Sequence, residues 1–391
     1  RIERRDDGSF SRTRSTPRHD LGERPLRFNW QTPIHLSRFN NDILYFGSNK
    51  LHRSMDRGET WTALSDDLTK GGLHGDVPYG TLTSLDESPL QFGLLWAGAA
   101  DGSLNVTRDG GTSWTNAGAN LPAATRDFWA SRVEASHHEA GRAYVSLNGY
   151  RFDNFTPLVF VTEDYGQSWT QLGAMGTEGG LPNEPVNVVM EDRENADLLY
   201  VGTDHGLYVS LDRGQSFMAL MATGTDAAMP NAPVHDLAYH HAAHDLVVGT
   251  HGRSIYRASV AHLQQLTADV RSQPVHLFAA DDIRHSGAWG RRGWRWNDVT
   301  TPDLDLVAWL QAEGIATLEV TREDSTGTVE TVRTVDLDSV RGRNVFTYDL
   351  TADFALAEDH EAADDERFYL TPGTYTLTLR QNGASASQTL T

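Results

Sequence analysis

Thr107-Arg108-Asp109-Gly110-Gly111-Thr112-Ser113-Trp114 is the stretch on which the fold turns. Three other segments repeat it: Ser54-Met55-Asp56-Arg57-Gly58-Glu59-Thr60-Trp61, Thr162-Glu163-Asp164-Tyr165-Gly166-Gln167-Ser168-Trp169 and Ser210-Leu211-Asp212-Arg213-Gly214-Gln215-Ser216-Phe217. Successive aspartates stand 53, 55 and 48 residues apart. In such a turn the aspartate accepts N–H groups from its own loop. The glycine adopts a backbone conformation that side chains disfavour. The closing ring opens the next strand with a large surface to bury. Each copy follows a β-rich run: 43–47, 94–98, 143–145 and 199–202. A fifth run, 246–250, continues into 252–256 without the aspartate. A period near 50 with several strands per unit predicts propeller blades, not helical solenoids. The expected all-β chain has five blades, at 28–70, 78–122, 127–175, 184–222 and 232–260, as the C-terminal part of a larger ring. An incomplete ring leaves exposed sheet edges for further blades or a partner subunit to cover.

Of the 391 residues, 39% are hydrophobic and 22% charged, the balance of a packed globular chain. No apolar run approaches the length of a membrane-spanning helix. With 0 cysteines, disulfides, thiolate zinc sites, Fe–S clusters and thiol catalysis are excluded. The formal charge of −20 argues against nucleic-acid binding and against anionic lipid surfaces. Lys50 and Lys70 are the only lysines, an arginine bias that fits a GC-rich genome.

The chain starts at Arg1, and Asp7-Gly8 followed by residues 9–13 reads as a hairpin already under way. Residues 1–27 are expected to be the end of a preceding blade or a linker, with any export signal further upstream. Residues 261–298 read as a linker rich in Trp and Arg, and 299–391 as an antiparallel β-sandwich. From Asn297 onward there are 18 acids and 6 bases, net −12, and 355–367 reads as a solvated acidic loop.

The repeated turn resembles the Asp-box, or BNR repeat. Residues 27–256 are similar to the propellers of bacterial sortilin-like proteins, often labelled glycosyl hydrolase by similarity. Lines that carry the resemblance are 28–33 (FNWQTP), 131–138 (SRVEASHH), 234–237 (VHDL) and 248–254 (VGTHGRS). The closing Gly-Thr-x-Gly-Arg line also resembles two-propeller xyloglucanases, while 342–349 and 372–375 resemble C-terminal immunoglobulin-like modules. The resemblance implies an extracytoplasmic protein whose Asp-boxes brace peripheral turns. On that reading Asp56, Gly58, Trp61, Asp109, Gly111, Trp114, Asp164, Gly166, Trp169, Asp212, Gly214 and Phe217 are structural.

Glycoside hydrolysis needs two facing carboxyls. Off the boxes Asp101, Asp127, Glu134, Asp153, Asp204 and Asp236 are available, and nothing in the sequence pairs them. Arg132, Arg151 and Arg253 could hold an anionic substrate, but no sialidase signature accompanies them. His235, His240, His241, His244 and His251 cluster, yet 234–239 reads as a strand and 242–245 as a turn, so no metal site is expected. Trp289, Trp294 and Trp296 read as cement between domains or as a stacking platform. Gly71-Gly72 and 176–180 lack the Lys-Ser/Thr of a phosphate loop, and no cofactor is expected. His251, Arg253, Asp236 and Arg132 are the candidate ligand contacts at the propeller mouth. The expected function is a non-catalytic binding or assembly module for a protein, peptide or glycan. The alternatives are a glycoside hydrolase with part of its site on other blades, or a structural subunit of a cell-surface assembly.

Overall fold

The computed structural model describes every residue except 1, 5, 13, 72–78, 221–228, 295, 324–325 and 358–359, and it leaves out the side chain of residue 3. The expected blade limits at 78 and 222, Gly72, and parts of the Trp/Arg-rich segment and the acidic loop therefore lie outside the described residues. The chain divides into two units, 1–264 and 265–391.

In the first unit each repeated Asp-x-Gly-x-Ser/Thr turn lies between the third and fourth strands of an antiparallel sheet. Blade 1 is Ile34–Leu36, Leu44–Gly47, Leu51–Ser54 and Thr62–Ala63. Blade 2 is Leu82–Glu87, Leu95–Ala99, Leu104–Thr107 and Thr115–Asn116. Blade 3 is Trp129–Ala135, Ala143–Asn148, Leu158–Thr162 and Thr170–Leu172. Blade 4 is Val186–Glu191, Leu199–Thr203, Leu207–Ser210 and Met218–Ala219. Blade 5, which lacks the repeated turn, has three strands among the described residues: Val234–His240, Asp245–Thr250 and Ile255–Ser259.

The seams between blades are apolar, with polar staples at their ends. Trp96, fully buried, meets the box residue Trp169 edge-on at 6.1 Å in the core between blades 2 and 3. Glu87 of blade 2 accepts hydrogen bonds from Ser37 Oγ (2.7 Å), Tyr45 Oη (2.9 Å) and the Arg38 N–H (3.0 Å) of blade 1. Glu191 of blade 4 repeats this with Ser136 Oγ (2.7 Å), Tyr144 Oη (3.0 Å) and the His137 N–H (2.7 Å) of blade 3. A buried carboxylate persists only with donors of this kind. At the next seam the short helix Ala261–Gln264 supplies the donor: Gln264 Nε2 reaches Asp192 Oδ2 at 2.9 Å.

Each inner strand of blades 2 to 5 carries a β-bulge, at Thr83, Ser131, Asn187 and His235. An extra residue in one strand re-aims a side chain without breaking the sheet. Thr83 and Ser131 use theirs to donate to the backbone of the following blade, at Ala130 O (2.8 Å) and Val186 O (2.9 Å).

No seam of comparable extent joins blade 5 to blade 1 among the described residues. Ile34, Leu36 and Ile255 are correspondingly exposed, at 60%, 63% and 71%. Ahead of blade 1, Ile2–Arg4 pairs with Phe10–Arg12 as a hairpin. Ser15, just beyond it, accepts from the Trp61 indole (3.2 Å). Leu64 and Ala117 accept likewise, through their carbonyls, from Trp114 and Trp169 (both 3.0 Å). Ser15 thus stands to blade 1 as the ends of blades 1 and 2 stand to their successors.

The second unit has a three-stranded sheet (Val275–Leu277, Leu304–Leu310, Gly342–Tyr348) and a four-stranded one (Val329–Ser339, Gly314–Glu323, Tyr375–Gln381, Ala384–Leu390), which share one core. The segment expected as linker contributes a strand to it. Val275 and Leu277 are buried on either side of His276 and pair with Leu310 and Ala308, an alternation too short to register in the sequence. Trp289 packs on this core, whereas Trp294 and Trp296 are 75% and 85% exposed.

Candidate functional site

The four repeated turns, boxes for short, build the same closed network. Asp109 accepts from Thr107 Oγ1 (2.8 Å), the Ser113 N–H (2.9 Å) and Ser113 Oγ (2.6 Å), and Thr107 Oγ1 in turn accepts the Gly111 N–H (3.0 Å). Asp56, Asp164 and Asp212 do the same with Thr60, Ser168 and Ser216. Gly166 sits at φ +82° with its α-carbon facing Ala117, where a Cβ would come within 2.4 Å, so the tight approach to the preceding blade requires glycine. Donated hydrogen bonds, first from the Thr60 and Ser113 hydroxyls, pull Asp56 and Asp109 down to about 2. The Ser168 hydroxyl lowers Asp164 in the same way. None of these four aspartates lines the two central cavities, so the boxes are separate turns on separate blades.

The first cavity, about 910 Å³, opens where the inner strands begin. Its walls are aromatic and amide: Trp30 (90% exposed), Trp129 and Tyr150 beside Asn148, Asn187 and Asp204. Arg151 lies over the Trp129 ring at 5.3 Å and the Tyr150 ring at 5.5 Å. Asn148 Nδ2 donates to Asn187 (3.0 Å), whose Nδ2 donates to Asp204 (2.9 Å). His235 and His251 face each other at 5.2 Å between ring centroids. His251 therefore lies at this mouth, while Arg253, two residues on, is exposed and outside its wall.

The second cavity, about 590 Å³, continues inward and shares Gln31 and His235 with the first. All five inner strands or their ends contribute to it. Arg132 of blade 3 pairs with Asp236 of blade 5 across it, and Arg38 of blade 1 pairs with Asp86 of blade 2 at 3.2 Å. Glu134 lies two residues beyond Arg132 on the same strand. Burial pushes its carboxyl up to about 8, and neighbouring Asp86 adds to the effect. Burial lowers the His35 imidazole, and burial with Arg38 and Arg193 nearby lowers His137 to about 3. Arg132 Nε and His35 Nε2 are buried without a hydrogen-bond partner.

The structure thus gathers Arg132, Glu134 and Asp236 in the inner channel, and Arg151, Asp204 and His251 at the mouth. It leaves Asp101, Asp127 and Asp153 elsewhere: Lys70 bridges the first two, donating its N–H to Asp101 (2.8 Å) and its Nζ to Asp127 (2.6 Å), and Asp153 caps a short helical turn. His241 pairs with Glu194 (3.0 Å) and His244 with Gln264 (2.8 Å). Among the described residues no three potential metal-ligating side chains come together. Sequence reading missed Trp30, Trp129, Tyr150, Asn148 and Asn187 at the mouth, and Arg38 and Arg193 in the channel. A usable signal lay in the bulge positions Thr83, Ser131, Asn187 and His235, which recur 48, 56 and 48 residues apart.

No family model matches the chain, and no curated protein matches it. Solved structures similar to it include the GH74 xyloglucanase from Xanthomonas campestris (18% identity, 61% of this chain, 36% of that one, TM-score 0.43). PorZ, a surface component of the type-IX secretion system of Porphyromonas gingivalis, is similar at 13% identity over 92% of this chain and 51% of that one (TM-score 0.41). YCF48 from Cyanidioschyzon merolae is similar at 14% over 62% and 74% (TM-score 0.36). The chain spans about half the length, or less, of the first two. All three TM-scores are below 0.5, and the fold rests on the sheets described above. No helix among the described residues is long and apolar enough to cross a membrane.

Proposed function

We propose that this chain is a non-catalytic, extracytoplasmic binding or assembly module that takes a protein, peptide or glycan ligand at the propeller mouth. One observation carries the reading: the mouth cavity is lined by three aromatic side chains and an Asn148–Asn187–Asp204 hydrogen-bonded chain. Exposed rings with a few fixed polar groups make a recognition surface. Asp204, its one carboxylate, is already occupied by an amide donor. The bare faces of blades 1 and 5 and the hairpin at Ile2–Arg4 and Phe10–Arg12 support a larger ring, completed by further blades of a longer chain or by a partner subunit.

Glycan-array and peptide-library binding, compared between the protein and Trp30→Ala, tests the reading. A ligand whose binding falls at least tenfold in the variant supports mouth recognition; binding unchanged by the variant contradicts it. A second reading, glycoside hydrolysis, is favoured by Glu134, a proton-retaining carboxyl beside Asp86, which is general-acid chemistry. Glycan cleavage abolished by Glu134→Gln would establish that reading over the first.

A further inference from the structure

Of the three large rings at the mouth, Trp30 alone has no partner. Its side chain is 90% exposed and makes no ring, cation or hydrogen-bond contact among the described residues. Trp129 and Tyr150, by contrast, share Arg151, whose Nε also donates to Tyr150 Oη at 3.1 Å. The turn that carries Trp30 is nonetheless braced. Asn29 Oδ1 accepts the Gln31 N–H (3.0 Å), Thr32 Oγ1 donates to the Asn29 carbonyl (2.6 Å), and Asn29 Nδ2 donates to Thr81 Oγ1 (3.0 Å). A ring on a braced turn loses little backbone freedom when a ligand covers it. The wall's charges balance and are engaged within the chain. Histidines apart, Arg151 and Asp204 are the only charged side chains that line the cavity. Arg151 lies over two rings, and Asp204 Oδ1 accepts Asn187 Nδ2. One guanidinium against one carboxylate leaves no net charge for an ionic ligand to neutralise.

We propose that the mouth binds an uncharged sugar: a pyranose ring covers the Trp30 face, and its hydroxyls meet Gln31, Asp204 and His205, which line the same cavity. The proposal rests on the binding reading above and narrows its ligand from protein, peptide or glycan to a neutral glycan. A pyranose presents a flat face of C–H groups for an indole to cover, with hydroxyls around its rim. Each hydroxyl both donates and accepts, which suits an amide, a carboxylate oxygen and an imidazole along one wall. A peptide anchors instead by an apolar side chain in a closed pocket or by a strand edge. Here Trp30 and Tyr150 stand open to solvent, and the other lining groups are mostly amide or imidazole.

Isothermal titration of the whole chain with neutral hexasaccharides of glucose, mannose and galactose tests it. Hexagalacturonate and the chitosan hexamer serve as anionic and cationic counterparts. The expected result is saturable binding of at least one neutral hexasaccharide, with both charged counterparts at least tenfold weaker. Binding should fall at least tenfold in Trp30→Ala and less than tenfold in Trp30→Phe, which keeps a ring. Sugar C–H proton signals should move upfield on binding to the parent protein and not with Trp30→Ala. The Trp30 ring touches nothing among the described residues, so its replacement leaves the fold intact, which a thermal melt verifies. Failure of every neutral hexasaccharide to bind at about 10 millimolar overturns the proposal. So does equal binding of a charged counterpart, or binding unaltered in Trp30→Ala. A peptide that binds in a Trp30-dependent way where no neutral hexasaccharide does would sink this inference and leave the binding reading standing.

Discussion

At the outer turns Asp109 collects three hydrogen bonds within its own loop; in the channel Glu134 collects none from the described residues. The first carboxylate is held down to about 2 and the second pushed up to about 8. Both are acids on β-hairpin scaffolds, yet one is satisfied by its neighbours in sequence and the other is surrounded by blades distant in sequence. A group whose bonding capacity is filled locally is a brace. A group without hydrogen-bond partners in its own chain neighbourhood retains that capacity.

The architecture supporting this contrast is most exposed to Trp169→Ala. Removing a ring that packs on Trp96 and donates to Ala117 O should lower stability by about 3 kcal/mol, read by urea unfolding. A loss under about 1 kcal/mol would mean that the box tryptophans do not join the blades.

The two regions should also answer pH oppositely. Asp56 and Asp109 have folded values below their ordinary 3.8, so their contribution is present above that pH and is lost as pH falls towards about 2. Glu134 has a folded value above its ordinary 4.5, so its contribution is complete below that pH and is lost as pH rises towards about 8. Glu134→Gln should therefore flatten the stability profile between those two pH values and raise stability at pH 8. A variant as pH-dependent as the parent there would break the contrast.

A finer cut at the brace is Thr162→Val. Thr162 Oγ1 donates to Asp164 and accepts the buried Gly166 N–H at 2.8 Å, so the variant leaves an orphan donor and should cost about 1–3 kcal/mol in thermal or urea unfolding. The smallest stability effect belongs to the mouth. Trp30→Ala, at a 90% exposed side chain, should change unfolding by less than about 0.5 kcal/mol while removing ligand binding.

The brace was legible in the sequence because it is local. Asp, Gly and Trp fall within eight residues of one another, and four copies recur at a blade's spacing. The strands before each box were legible for the same reason, as β-rich runs of fixed position. The channel was not. Arg38, Glu134, Arg193 and Asp236 come from four blades spread over some 200 residues, and only closure around a common space brings them together. Glu134 and Asp236 were in view as unpaired acids; their partners depended on which face of each inner strand turns inward, and a bulge shifts that face by one residue. Val275–Leu277 was lost inside an expected linker because three residues carry too little alternation to read.

The most direct measurement is a carboxyl ¹³C NMR titration of Asp- and Glu-labelled protein. The account predicts that Asp56 and Asp109 titrate near 2 and Glu134 near 8. A Glu134 carboxyl that titrates in the ordinary range near 4.5, alongside box aspartates at or above 3.8, would contradict the contrast between the braced turns and the channel carboxyl.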